Sequence, residues 1–405
     1  MQIKLLNFYK VLSQFATSLI GSFVALIIFQ ACNNIGLAFL YIVGTIVLRT
    51  LMNICMFKLY KRKPQLVLML RVFPLLVYTI SILLLETHLV LAIILITFFN
   101  ALSNSFKELP MEIIFNYSSL ESKARSAGIT RLFEQLGVIL AMIMGGLFLD
   151  YLEQYILVIL AISIYLVAVI PLVIYYFREK NSPTFNQEAT SNAATGYKNI
   201  VIKQKIRKKT ANSLLFRYGT IYFLFCGLDA LIGMTQLFMF YKGSAAYSYA
   251  GFIQAAFYGS FGIGSYIAGM LGEKKDLTVV ACVTCFLMAA FVVAVPFVIS
   301  IIWVLVPLFF CIGFSYSFLS FFCYNQMMQR VRIMGVSNMA LFTRTHASLA
   351  ATSIINGLCS VGAVMIIPAF IVISVMLVCC GSSIPHNEEK TRELLVDFLQ
   401  NNKMY

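Results

Sequence analysis

The stretch Arg178–Ser213, REKNSPTFNQEATSNAATGYKNIVIKQKIRKKTANS, decides how this chain is organised. It is polar, carries eight basic and two acidic residues, and is the longest break in an otherwise apolar sequence. The runs on either side have the length of a membrane span, which needs about 20 apolar residues. Six candidates precede it, at about 9–30, 34–57, 65–85, 89–114, 127–149 and 154–177. Six follow, at about 214–240, 247–270, 277–299, 301–323, 336–357 and 359–380. The predicted class is an all-α polytopic membrane protein of twelve helices. Its parts are an N-terminal half (1–177), a basic linker (178–213), a C-terminal half (214–380) and a tail (381–405).

Composition agrees with that division. Of 405 residues, 60% are apolar and 11% charged, against about 45–50% and 25% in a soluble domain. A soluble enzyme cannot bury so much apolar surface, and a disordered chain has more charge and fewer aromatics. The first apolar run follows Lys4 and Lys10, as in a signal peptide. No small-residue cleavage site follows it, Phe29-Gln30-Ala31-Cys32 is a poor lipoprotein signal, and more spans come at once. It is read as an uncleaved first span. All ten cysteines sit in or beside apolar runs. Cys282 and Cys285 form a CxxC with no second pair and no nearby histidine, so they are expected to pack as small hydrophobes.

Positive charge sets the expected orientation. With the N-terminus in the cytoplasm, the inner loops hold Lys58, Lys61, Arg62 and Lys63, then Lys123 and Arg125, the linker, Lys274 and Lys275, and Arg330 and Arg332. The outer loops hold Lys242 as their one basic residue, with Glu86, Asp150 and Glu153. The positive-inside rule then places both termini in the cytoplasm. The linker's patch Lys198–Lys209, with Ile200, Val201, Ile202 and Ile206, either rests on the membrane surface or is a solvated connection. The tail at 387–400, with Asn387 as cap, reads as a short soluble helix.

Two halves of six spans, a long basic central loop and both ends inside resemble the major facilitator superfamily of secondary transporters, and more specific stretches support this. Leu120-Glu121-Ser122-Lys123-Ala124-Arg125-Ser126-Ala127-Gly128 resembles the family's loop between spans four and five. Gln329-Arg330-Val331-Arg332-Ile333-Met334-Gly335 stands at the matching place before span eleven, as an internal repeat requires. Gly137, Ala141, Gly145 and Gly146 resemble the glycine-rich fifth span of drug/proton antiporters, without its usual proline and with Ala141 where glycine is typical. Small residues at this spacing let helices approach closely. Gly269-Met270-Leu271-Gly272-Glu273-Lys274-Lys275-Asp276 resembles the family's gating motif. The first-half copy, Lys58–Lys63, keeps the basic cluster alone. The resemblance implies two rocking halves, a cavity lined by spans one, four, seven and ten, and gating or packing roles for Gly137, Gly145, Gly146, Gly269, Glu273, Lys274, Lys275 and Arg125.

Polar side chains at membrane depth usually face a cavity or the bundle interior. In span four, Asn100, Asn104, Lys107 and Met111 fall within about 60° on one helical face, flanked by Ser103, Glu108 and Glu112. Span one carries Lys10, Gln14, Thr17, Ser18 and Ser22 on one stripe, and span ten Tyr316, Ser320 and Tyr324. In span seven, Asp229 shares a face with Tyr222 and Gln236 and has no basic residue within seven positions. A lone carboxylate in low dielectric can take up a proton near neutral pH. Glu134, three residues from Arg131, reads as half of an internal ion pair or as a second coupling group. Asp229, Glu134, Glu108 and Glu112 are thus the proton-coupling candidates. Gln14, Ser18, Asn100, Asn104, Lys107, Tyr222, Gln236, Tyr316 and Ser320 are the cavity candidates.

A wall of amides, hydroxyls and aromatics suits an amphiphile better than a sugar or a dicarboxylate. The leading expectation is a monomeric secondary transporter of the cell membrane, exporting an amphiphilic, drug-like, peptide or lipid-like compound by proton coupling. Uptake of a solute is the alternative, as is a transporter-like sensor or scaffold that moves nothing. An intramembrane enzyme needs a convergent acid, base or metal cluster. The chain has three histidines, His88, His346 and His386, and no HExxH. No enzyme activity, metal or cofactor is expected. The net charge of +14 is concentrated in the 58–63 loop and the linker. It is read as a topological signal, with contact to anionic lipid heads, and not as nucleic-acid binding.

Overall fold

The computed structural model describes residues 2–118, 124–180, 228–243, 246–272, 277–334, 354–355 and 357–403. The described residues are helical, and nine of their helices are long and apolar enough to cross a membrane. Two expected spans fall partly outside them, the seventh before residue 228 and the eleventh before residue 354.

Local sequence explains the breaks. The first span joins α1 (Gln2–Gly21) and α2 (Val24–Cys32). α2 stops at Asn33, whose φ of +50° puts it in the left-handed region that asparagine tolerates. The next residue, Asn34, accepts a 3.2 Å bond from the Leu37 N–H and so caps α3 (Ile35–Arg62). Two asparagines therefore end one helix and start the next. The third span begins with Pro64 in the first turn of α4 (Pro64–Leu70), where a missing N–H costs nothing. It breaks at Arg71 before α5 (Val72–Ser81) and a 3₁₀ turn, Ile82–Leu85. The cause is Pro74, which offers no N–H to the Leu70 carbonyl one turn back. α6 (Leu89–Ser118), α7 (Ala124–Tyr151) and α8 (Gln154–Lys180) complete the first half.

The second half holds α9 (Leu228–Tyr241), α10 (Tyr247–Gly272), α11 (Thr278–Val298), α12 (Ile302–Met334) and α13 (Ile366–Lys403). Successive spans run in opposite directions. The connections at 33–34, 86–88, 152–153, 299–301 and 361–362, with residues 242–243, therefore gather at one end of the bundle, the Asn33 end. Lys63 lies at the other.

The halves meet along α7 and α10. A Cβ on Gly146 would lie 2.7 Å from the Tyr247 carbonyl oxygen, and one on Gly251 would lie 2.5 Å from that of Met142. Further along, Gly262 faces the Gln135 side chain. Gly145 turns from this seam to α1, where a Cβ would sit 2.1 Å from the Leu19 carbonyl oxygen. The small-residue run of span five thus lets two other backbones approach, one from each half. One buried apolar cluster joins both halves, from Leu19 and Phe23 through Ala141 to Ile253, Phe257 and Phe309.

The tail corrects an expectation. A separate helix at 387–400 with Asn387 as its cap is not formed, because α13 runs unbroken through Asn387. Ser382 and Ser383 bond back to the Val378 and Cys380 carbonyls at 2.9 Å each, which keeps these polar residues within the helix. Pro385 has no N–H for the Gly381 carbonyl. That oxygen instead accepts from the Cys282 thiol of α11 at 3.1 Å. Cys282 therefore does more than fill space, since it satisfies a carbonyl that proline leaves open.

Candidate functional site

The polar stripes of spans one and four face each other in the first half. Lys107 of α6 donates through Nζ to Oε1 of Gln14 on α1. The Gln14 amide donates to Ser18, one turn on, at 3.4 Å. Above Lys107, Asn104 donates to Asn100 at 2.8 Å, and Asn100 donates to the Tyr41 hydroxyl of α3 at 2.7 Å. Periodicity put these groups on two helical faces, and packing joins the faces into a polar ladder between three spans. Its members exchange amide and hydroxyl bonds, so it offers both donors and acceptors to a third party.

Glu134 of α7 pairs with Lys10 of α1 at 2.6 Å, and both side chains are largely buried. An internal pair was expected with Arg131, whose side chain lies outside the described residues. The pair ties α1 to α7 one turn from the Gln14–Lys107 contact. Protonation of Glu134 would cancel its charge and leave Lys10 without this partner's attraction.

Arg71 was not singled out from sequence. It sits at the break between α4 and α5 and is 1% exposed. Its Nε donates to Ser103 at 3.3 Å and its Nη1 to the Tyr9 hydroxyl at 3.2 Å. The guanidinium carbon lies 5.9 Å from the centre of the Tyr165 ring. One arginine thus ties spans one, three, four and six together. The available signal was a single charge inside the run 65–85, where charge is costly. A second buried chain, Tyr60 to Ser105 and Ser105 to Asn53 at 2.6 Å, links spans two and four.

In the second half, Tyr316 of α12 stacks against Phe257 and Phe261 of α10, with ring centres 5.7 and 5.5 Å apart. Ser320 is half-buried one turn further along α12. Gln236 of α9 is buried and donates to the Ala250 carbonyl of α10 at 3.3 Å. Asp229 lies in α9, seven residues before Gln236 and so on its face. Of Asp229, Glu108, Glu112 and Arg125 only the helical backbone is described. Tyr222, Glu273, Lys274 and Lys275 lie outside the described residues, and Gly269 is buried in α10. Among the described residues, no three His, Cys, Asp or Glu side chains are grouped to hold a metal ion.

These features coincide with a known family. The family model described as Major Facilitator Superfamily matches residues 6–353, and the chain belongs to that superfamily. It is a multi-pass membrane protein with a transporter fold. Among solved structures, the crystal structure of a bacterial homologue of the iron transporter ferroportin, in an outward-facing state, is similar in fold. The TM-score is 0.65 at 10% identity, over 96% of this chain and all of that one. No curated protein sequence matches.

Proposed function

We propose that this chain is a secondary transporter of the cell membrane, working as a monomer by alternating access to export an amphiphilic compound in exchange for protons. The observation that carries the reading is the polar ladder from Gln14 and Lys107 to Asn104, Asn100 and Tyr41, set within an apolar bundle. Opposite in kind is the aromatic stack of Phe257, Phe261 and Tyr316 in the other half. A ligand held between such walls needs a polar head for the amides and an apolar body for the rings. Drug-like, peptide and lipid-like molecules fit that description.

Asp229 is the first candidate for the proton carrier, and Glu134, Glu108 and Glu112 follow. Alternating access then requires that a proton bind one state better than the other. The test is transport of a lipophilic cationic dye by purified protein in liposomes under an imposed pH gradient. The wild type moves dye with the gradient, whereas Asp229→Asn retains dye binding and loses the pH dependence. Equal pH-driven transport by that variant would remove Asp229 from the role. Binding of the dye without movement, at any gradient, would favour a sensor.

A further inference from the structure

We propose that Asp150 is the latch of a gate at the Asn33 end of the bundle, which positive charges predict to be the outer end. The inference rests on the transporter reading, since a latch matters only if the halves part. Asp150 is the penultimate residue of α7, in the first half. Its two carboxylate oxygens accept from the backbone N–H groups of Tyr247 and Ser248, at 2.7 and 2.8 Å. Those groups open α10, in the second half. One carboxylate therefore satisfies two free donors of a helix that belongs to the opposite half.

The electrostatics make this contact conditional. At the C-terminus of its own helix, Asp150 stands at the negative end of the dipole, where a carboxylate is disfavoured. The positive end of α10 offsets that only while the halves touch. Separation strands the charge at the wrong end of α7 and uncaps α10 at the same time.

The surroundings reinforce the latch. The Tyr247 hydroxyl donates to Gln30 of α2 at 2.6 Å, and its ring lies edge-on to Phe23 at 6.1 Å. Two turns along α10, Gln254 donates to the Ser22 carbonyl at 3.2 Å. A second approach closes the same end: a Cβ on Gly36, at the start of α3, would lie 2.7 Å from the Ser360 carbonyl oxygen of the second half. Deeper along α7 and α10, Gly251 meets the Met142 carbonyl and Gly262 the Gln135 and Leu132 side chains, close contacts that involve no charge. That seam can act as a pivot, while the Asp150 bonds must break for this end to open.

Hydrogen exchange on the purified full chain in nanodiscs tests the assignment. In Asp150→Ala, peptides covering 22–36, 142–153, 246–254 and 355–362 are expected to exchange faster together, by about tenfold, because two charge-assisted bonds across the halves are lost. Asp150→Asn keeps one acceptor oxygen and should give a smaller rise in the same peptides, as should Tyr247→Phe. Peptides within α8 and within α11 should not change. If Asp150→Ala does not fold, the two milder variants carry the comparison. A rise confined to 246–250, or none, would show a local helix cap and overturn the latch. The readout needs no substrate. Concerted opening in a protein that moves no solute would retire the transport reading and keep the latch. Transport without concerted opening would do the reverse.

Discussion

Arg71 shows how much one residue can carry in this bundle. Its guanidinium meets Ser103 and Tyr9 and faces the Tyr165 ring, so four spans converge on one side chain. Arg71→Met keeps most of the volume but leaves two buried hydroxyls without a charged donor. That costs about 2–3 kcal/mol, visible as a lower melting temperature in detergent. An unchanged melt would show that the hydroxyls find other partners. The Lys10–Glu134 pair behaves differently, since each charge compensates the other. Lys10→Met or Glu134→Gln alone takes this partner from a largely buried charge and should cost about 2 kcal/mol. The double variant should cost less than the sum, and a thermodynamic cycle measures the difference. Strict additivity would mean that the two charges do not interact.

At the scale of the helix, what sequence revealed was periodic, and what it hid was partnership. Asn100, Asn104 and Lys107 could be placed on one face from spacing alone, because an α-helix repeats every 3.6 residues. Their meeting with Gln14 and Tyr41 depends on how three helices are set side by side, which no local pattern encodes. Arg71 was missed for the same reason: Tyr9, Ser103 and Tyr165, which meet its guanidinium, come from other spans. The break before the tail was misjudged because a change in composition resembles an end, although the Ser382 and Ser383 hydroxyls remain within the helix. The glycines of span five were readable as a close-packing motif, but their neighbours were not. Those neighbours now separate positions that look alike in sequence. Gly145→Ala would place a methyl 2.1 Å from a backbone carbonyl, which cannot move without moving α1. Across the seam in α10, Gly259→Ala meets the tip of the Ile139 side chain of α7 at 3.3 Å, which can turn aside. The first should destabilise by about 3 kcal/mol or prevent folding, and the second by less than about 1 kcal/mol. Thermal melting and folded yield compare them, and equal effects would argue against the close approach of α1 and α7.

At the scale of the molecule, the outside of the bundle marks where the membrane ends. Aliphatic side chains such as Ile170, Leu287 and Val375 are exposed around the middle of their spans, as lipid-facing residues must be. At the Asn33 end exposed aromatic side chains join the aliphatic ones. Tyr151, Tyr241, Phe297 and Trp303 all stand at or beside the tips of α7, α9, α11 and α12. Aromatic rings collect at the membrane–water boundary, where one part of the ring is apolar and the other wet. Trp303 is 86% exposed on the protein and is the chain's one tryptophan. It therefore reports its depth without labelling. In proteoliposomes its fluorescence should be quenched more by lipids brominated near the headgroup than by lipids brominated near the tail end. Free iodide in the water should quench it weakly, since the ring is seated in the boundary rather than in solution. Stronger quenching from the tail end would move the Asn33 end inside the hydrocarbon, which would strand Asp150 and the α7–α10 cap at a depth where an exposed carboxylate is not tolerated. The position of one indole thus fixes the level at which the two halves are latched, and it does so before any substrate is known.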